Sequence, residues 1–321
     1  MRKRLLLPSL LVVSVASLIL ALAFGSVTIR WQELWAVLNG AGGLNRSLVL
    51  DLRLPRAASA FATGGLLALA GALMQVLLRN PLADPYILGI SGGAAVGALL
   101  SMLLGAGGAW LTGSAFGGAL LSMLLVFTLA HGHGSWTSSR LLLTGVVCAA
   151  GWGAVISFIL AISPDAQLRG MLFWLMGDLS HADDPWPGLM VLALGVVACL
   201  PLARNLNVLS RGELQAGALG VAVAPLRWQI YLIASLLTAV AVTLAGSVGF
   251  VGLVVPHLLR LAIGNDQRLL LPAAVLLGGS LLTIADTLAR TVAAPQQLPV
   301  GVITALLGVP VFLYLLRRSH R

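Results

Sequence analysis

The sequence predicts an all-α polytopic integral membrane protein with about ten transmembrane helices and both termini in the cytoplasm. Three observations carry that expectation. Of 321 residues, 59% are apolar and 9% charged, where a soluble domain holds about 25% charged residues. Mean hydropathy is +1.00. The apolar residues fall into blocks close to the roughly 20 residues that a helix needs to cross a bilayer. The basic residues, finally, are spread unevenly over alternating loops. The net charge of +9 therefore reads as an orienting signal, not a nucleic-acid surface. Residues 1–321 read as one transmembrane domain.

The first span is Leu5–Phe24, behind the basic Met1–Arg4. Ala21-Leu22-Ala23 mimics a signal-peptidase site, but the apolar run is longer than a usual signal core, so an uncleaved helix is expected. A polar stretch with Arg30, Glu33, Arg46, Asp51, Arg53 and Arg56 leads to the second span, Ala57–Leu78. Asn80, Pro81 and Pro85 then break the chain into a tight loop. The third span is Ile87–Leu104 and the fourth Trp110–Ala130. A polar loop follows, with His131 and His133, and then the fifth span, Leu141–Ile162.

Residues 163–187 carry Asp165, Arg169, Asp178, Asp183 and Asp184 around a short apolar piece, Met171–Met176, expected as an interfacial helix in a periplasmic segment. The sixth span, Gly188–Leu202, is short. Residues 204–227 form the longest mostly non-spanning interval, with Arg204, Arg211, Glu213 and Arg227. The seventh span is Trp228–Val248. Val251–Ile263 is too short to cross if straight and holds Pro256, His257 and Arg260; it counts as a short eighth helix buried among the others. Leu269–Leu288 and Leu298–Leu316 are the ninth and tenth.

Threading ten helices from a cytoplasmic N-terminus puts 13 of the 19 basic residues inside. Dropping the short eighth helix would move Arg317, Arg318 and Arg321 outside and weaken that bias. The interval 204–227 then lies in the cytoplasm, between spans six and seven. It reads as a coupling segment by which another protein moves the membrane part.

No catalytic constellation is visible, so an enzyme is not expected. No convergent set of metal ligands is visible either. Cys148 and Cys199 sit in apolar runs and read as small core residues. A Walker A loop needs a lysine after a Gly-rich turn. The only lysine is Lys3, so any ATP, with its Mg, belongs to another polypeptide. Gly89, Gly93 and Gly97 recur every four residues and predict close helix packing. Asp286 and Arg290 can pair on one helix face, and a proton-carrying Asp286 is the sharper alternative. Arg53 and Arg56 face outside against the usual bias; they either anchor at headgroups or pair with carboxylates of a soluble partner.

Several stretches in order resemble the FecCD family, the permease subunits of ABC importers for iron chelates and cobalamin. They are Arg53-Leu-Pro-Arg56, Asn80–Pro85 with Leu88–Gly93, Ser139–Gly145, Trp174–Gly177, Gly212-Glu213 with Ala216, Leu219 and Gly220, Gly249–His257, Leu298–Gly301 and Gly308–Phe312. The resemblance implies a ten-helix subunit of the bacterial inner membrane that forms a homodimer. Two ATPase subunits would dock inside and a periplasmic binding protein outside. It implies Arg53, Arg56 and Arg290 as docking residues for that protein. It implies Arg211, Gly212, Glu213, Ala216, Leu219 and Gly220 as ATPase-coupling residues in short coupling helices. The path would be lined by the fifth and tenth helices. Arg211 departs from the pattern, which often has an apolar residue there. The expected function is inward movement of haem, a ferric siderophore or cobalamin by alternating access. The alternatives are an ion-coupled secondary transporter using Asp286 and an exporter or channel-like scaffold.

Overall fold

The computed structural model describes residues 2–40, 43–131, 137–182 and 184–319; His133, Asp183 and Arg321 lie outside them. The helices are α1 Arg2–Ala23, α2 Trp31–Leu38, α3 Leu44–Ser47, α4 Leu54–Leu77, α5 Ile90–Leu103, α6 Ala109–His131, α7 Ser138–Ile162, α8 Asp165–Leu175, α9 Trp186–Leu209, α10 Glu213–Ala218, α11 Val223–Ala245, α12 Val251–Ile263, α13 Gln267–Thr291 and α14 Val300–Ser319. A π-helical turn, Leu48–Arg53, leads into α4, and a 3-10 turn, Pro85–Leu88, precedes α5. No strand occurs among the described residues. Among the described residues, seven helices are long and apolar enough to cross a membrane, and α5, α12 and α14 are shorter apolar helices.

The bundle is built around α4. Its sequence is mostly Ala, Gly and Leu, and 94% of its spanning window is buried, because α13, α11, α12, α9 and α1 all pack on it. Small residues permit that crowding. A Cβ on Gly64 would overlap the Gly278 carbonyl of α13, and one on Gly71 would overlap the Gly252 carbonyl of α12. With lipid outside, such backbone contact replaces the hydrophobic drive that holds soluble helices together. α1 joins the bundle through α13, where Ser14 Oγ and Ser280 Oγ lie 2.9 Å apart.

The short helices have a physical cause. α5 and α12, with 14 and 13 residues, rise only about 20 Å, against roughly 30 Å of hydrocarbon. Their N-termini are recessed. Gly252, at the start of α12, meets both Leu67 of mid-α4 and Pro85 of the turn before α5. Broken helices survive at such depth only if their backbone groups are satisfied. Here the Val248 N–H donates to Tyr86 Oη at 3.0 Å, and Ser91 Oγ and Ser247 Oγ lie 2.7 Å apart.

Several elements differ from the expectation. Residues 31–38 form α2 where a plain polar stretch was expected; its apolar face packs with Leu22, Ala23, Ile29 and Val49 into a small separate core. α8 starts at Asp165, not Met171. α9 is not short: it continues through Pro201 to Leu209, so Arg204 is helical, while Arg227 already belongs to α11. The free coupling segment thus shrinks to 210–222, holding one short helix, α10. Gly89 is the left-handed cap before α5, at φ 68°, and like Gly93 it packs against Ser122 of α6. The short helix Val251–Ile263 has the expected bounds.

Candidate functional site

Two sites lie at opposite ends of the bundle, one at α10 and one where α4 begins. Gly212 at φ 130° and Gly220 at φ 79° bracket α10 with backbone that other residues rarely adopt. Ala216 is fully buried and seats α10 on the bundle. Glu213, at the first turn, is the tie. Its Oε2 accepts from Arg227 Nη1 at 3.0 Å, and its Oε1 stands 3.8 Å from Arg79 Nη2. One carboxylate therefore joins α10 to the second turn of α11 and to Arg79, two residues past the end of α4.

Away from the bundle, α10 and its C-cap expose two leucines beside Gln215. Leu214 is 92% exposed and Leu219 70%. Arg211 is exposed beside them. Sequence reasoning missed Leu214 and Arg79. The signal for Leu214 was present, a leucine two residues from a seat formed by Ala216. Nearby, the Asn207 amide donates to Asp266 at 2.9 Å and its carbonyl oxygen accepts from Gln267 N–H at 2.7 Å, locking the end of α9 to the start of α13.

At the opposite end, Asp286 is buried and clamped. Arg56 Nη2 lies 2.8 Å from Oδ1, and Arg290 Nε lies 3.0 Å from Oδ2. The pair expected within α13 is there, and α4 adds a second guanidinium to it. Arg56 also donates from Nη1 to Gln297 at 2.9 Å. A carboxylate occupied on both oxygens is a structural junction, which speaks against the proton-carrying role weighed for Asp286.

The three arginines expected at a docking surface are placed unequally. Arg53 and Arg290 are buried, at 4% and 5% exposure, and donate to backbone carbonyls. Their guanidiniums are turned toward the end of α1. The reason is that the carbonyls ending α1 lie within their reach. Arg56 is the more accessible of the three. Next to Gln297 a cavity of about 570 Å³ opens, lined by Arg169, Phe173, Trp174, Asp178 and His181.

Gly93 and Gly97 face α6, where a Cβ on Gly97 would overlap the Ser114 carbonyl. Gly89 is tied in otherwise: Trp152 Nε1 donates to Ser122 Oγ at 2.8 Å, and Ser122 Oγ donates to the Gly89 carbonyl at 2.8 Å. His257 and Arg260 are not a mutual pair. Arg260 Nη2 reaches the Ala72 carbonyl at 3.4 Å, while the His257 ring packs edge-on to Phe312 and makes no hydrogen bond. Among the described residues no three His, Cys, Asp or Glu side chains are grouped to hold a metal ion.

A polytopic bundle with a braced, apolar-tipped handle fits a transport subunit driven from outside itself. The FecCD transport family matches residues 11–318. The chain belongs to that family. It is 40% identical to the hemin transport system permease protein HmuU of Yersinia pestis, over 99% of this chain and 96% of that protein. It is also 40% identical to the vitamin B12 import system permease protein BtuC of Vibrio cholerae, over 90% of this chain and 88% of that one. A solved transporter described as of metal-chelate ABC type, in an inward-facing conformation, superposes with TM-score 0.84 at 30% identity, covering 98% of this chain and 99% of that chain. The FecCD chain is thus a multi-pass inner-membrane permease of the ABC importer kind.

Proposed function

We propose that this permease moves haem, a ferric siderophore or cobalamin from periplasm to cytoplasm by alternating access. It works as a homodimer with two ATPase subunits at the α10 end, which is cytoplasmic, and a periplasmic binding protein at the Arg56 end. ATP and Mg sit on the ATPase. The observation that carries the reading is the α10 handle. Leu214 and Leu219 offer an apolar knob to a partner, and Glu213 passes any displacement of that knob to α11 and α4. A helix tied by ion pairs to the spanning helix α11 and to the loop leaving α4 moves as a lever and not as a loose loop.

The homodimer is supported by α7. Only 17% of its spanning window is buried, and Leu143, Val147 and Phe158 lie open along it. A second copy would cover part of that face, and the path would run beside α7 and α14.

Arg56 is the arginine best placed for docking, since its two neighbours in the expected set are committed inward. The experiment is reconstitution into liposomes with the cognate ATPase and binding protein, offering labelled haem, ferric siderophore and cobalamin in turn. ATP-dependent uptake of one of them is expected. Uptake that persists without the ATPase would overturn the reading and revive an ion-coupled carrier.

A further inference from the structure

We propose that Ala21-Leu22-Ala23 is a latent signal-peptidase site which the fold seals, and that Arg53 and Arg290 are the residues that seal it. In a cell the proposal rests on the orientation given above, with the end of α1 facing outward.

The sequence carries two features of a cleavage site, although its apolar run is longer than a usual signal core. Basic residues precede an apolar helix, and small residues stand at the two positions that the peptidase reads. Cleavage needs those residues unwound and accessible, with their carbonyls free. In the structure they are the last turn of α1, and Ala21 and Ala23 are 0% and 1% exposed. Leu22 and Ala23 belong to the small core with Leu34 and Val37 of α2 and Val49 of the π-helical turn.

The final carbonyls of a helix have no partner within it and form the negative end of its dipole. Two cations meet them here. Arg53 Nη1 donates to the Leu22 and Ala23 carbonyls at 2.7 and 3.0 Å, and its Nη2 donates to the Val27 carbonyl. Arg290 Nη2 reaches the Ala21 carbonyl at 3.4 Å. Arg290 is in turn fixed by Asp286. Gly25 leaves room for the Arg53 guanidinium, since a Cβ there would stand 3.1 Å from Nη2. Every carbonyl of the would-be site is thus bonded to a buried arginine, through charge-assisted hydrogen bonds. This also explains why two arginines of the expected docking set point inward.

The test uses purified signal peptidase in detergent, where membrane orientation plays no part. A synthetic peptide of residues 1–30 in micelles should be cut after Ala23. The full-length chain in the same micelles should be cut about 100-fold more slowly or not at all, as proteolysis follows the population of the opened form. Arg53→Ala should regain a large part of the peptide's rate, and Arg53→Lys less. Gly25→Val, which displaces the guanidinium without removing it, should do the same as Arg53→Ala, and its reading stands even if Arg53→Ala does not fold. A peptide that is not cut would show that there is no latent site. A folded chain cut as fast as the peptide would show that it is not sealed. Folded Arg53→Ala and Gly25→Val chains as resistant as the parent would remove the arginine from the argument. A cysteine placed before Leu5 and tested with a membrane-impermeant label checks the orientation separately.

Discussion

Glu213 Oε2 accepts a hydrogen bond from Arg227 Nη1 at 3.0 Å, and this contact fastens the α10 handle to a spanning helix. Arg79, just past the end of α4, approaches the same carboxylate at 3.8 Å. A pull on α10 is thereby shared between α11 and the helix at the centre of the bundle.

Replacing Glu213 by Arg would set a third cation against Arg79 and Arg227. The pair is partly solvated, so the loss is about 1–2 kcal/mol and the membrane fold survives. Coupling does not. Reconstituted complexes should hydrolyse ATP with transport reduced about tenfold or more, and the swap Glu213→Arg with Arg227→Glu should recover part of it. Normal coupled uptake in the single variant would count against the tie.

Leu214 and Leu219 expose apolar side chains that membrane packing does not explain. If they fill a groove on the ATPase, burying each leucine side chain is worth about 2 kcal/mol. Leu214→Asp should weaken ATPase binding by roughly 30-fold in a pull-down or by interferometry, with monodispersity in detergent unchanged. Unaltered binding in a Leu214→Asp, Leu219→Asp double variant would disprove the assignment.

Asp286→Asn leaves two neighbouring guanidiniums without their shared charge. Breaking a buried ion cluster in this way costs about 3–5 kcal/mol, so the thermal midpoint in detergent should fall by several degrees. A proton carrier would instead lose coupled flux while keeping its stability. Measuring both properties on one preparation separates the two.

Gly71→Val inserts a side chain where α4 touches the Gly252 carbonyl. Overpacking of this kind costs about 1–3 kcal/mol or more because backbone must move. Lower yield of folded protein is expected. Gly113→Val, where nothing lies within 4 Å of a Cβ, should behave like the parent and serves as the control.

Much was legible from sequence because lipid imposes simple rules. Apolar length marked each spanning block, and the short helix Val251–Ile263 was found with its bounds intact. Gly212 and Glu213 marked the place where the short helix α10 begins. Legibility failed where polarity and helicity part company. Trp31–Leu38 looked like loop because it is amphipathic, and α9 looked short because Arg204 and Asn205 extend past the apolar block while remaining helical. Hydropathy reports where a helix leaves the lipid, not where it ends.

The sequence by itself determined that the chain is an all-helical, multi-pass membrane protein with the motifs of the FecCD family. Only the tertiary structure decided which charges meet. Asp286 draws a partner from α4 as well as its own helix, Glu213 bridges two helices, and Arg53 turns inward to the end of α1. The physical reason is that hydropathy and spacing act along the chain, whereas an ion pair depends on distance in space, and packing alone brings residues 56 and 286 within 3 Å.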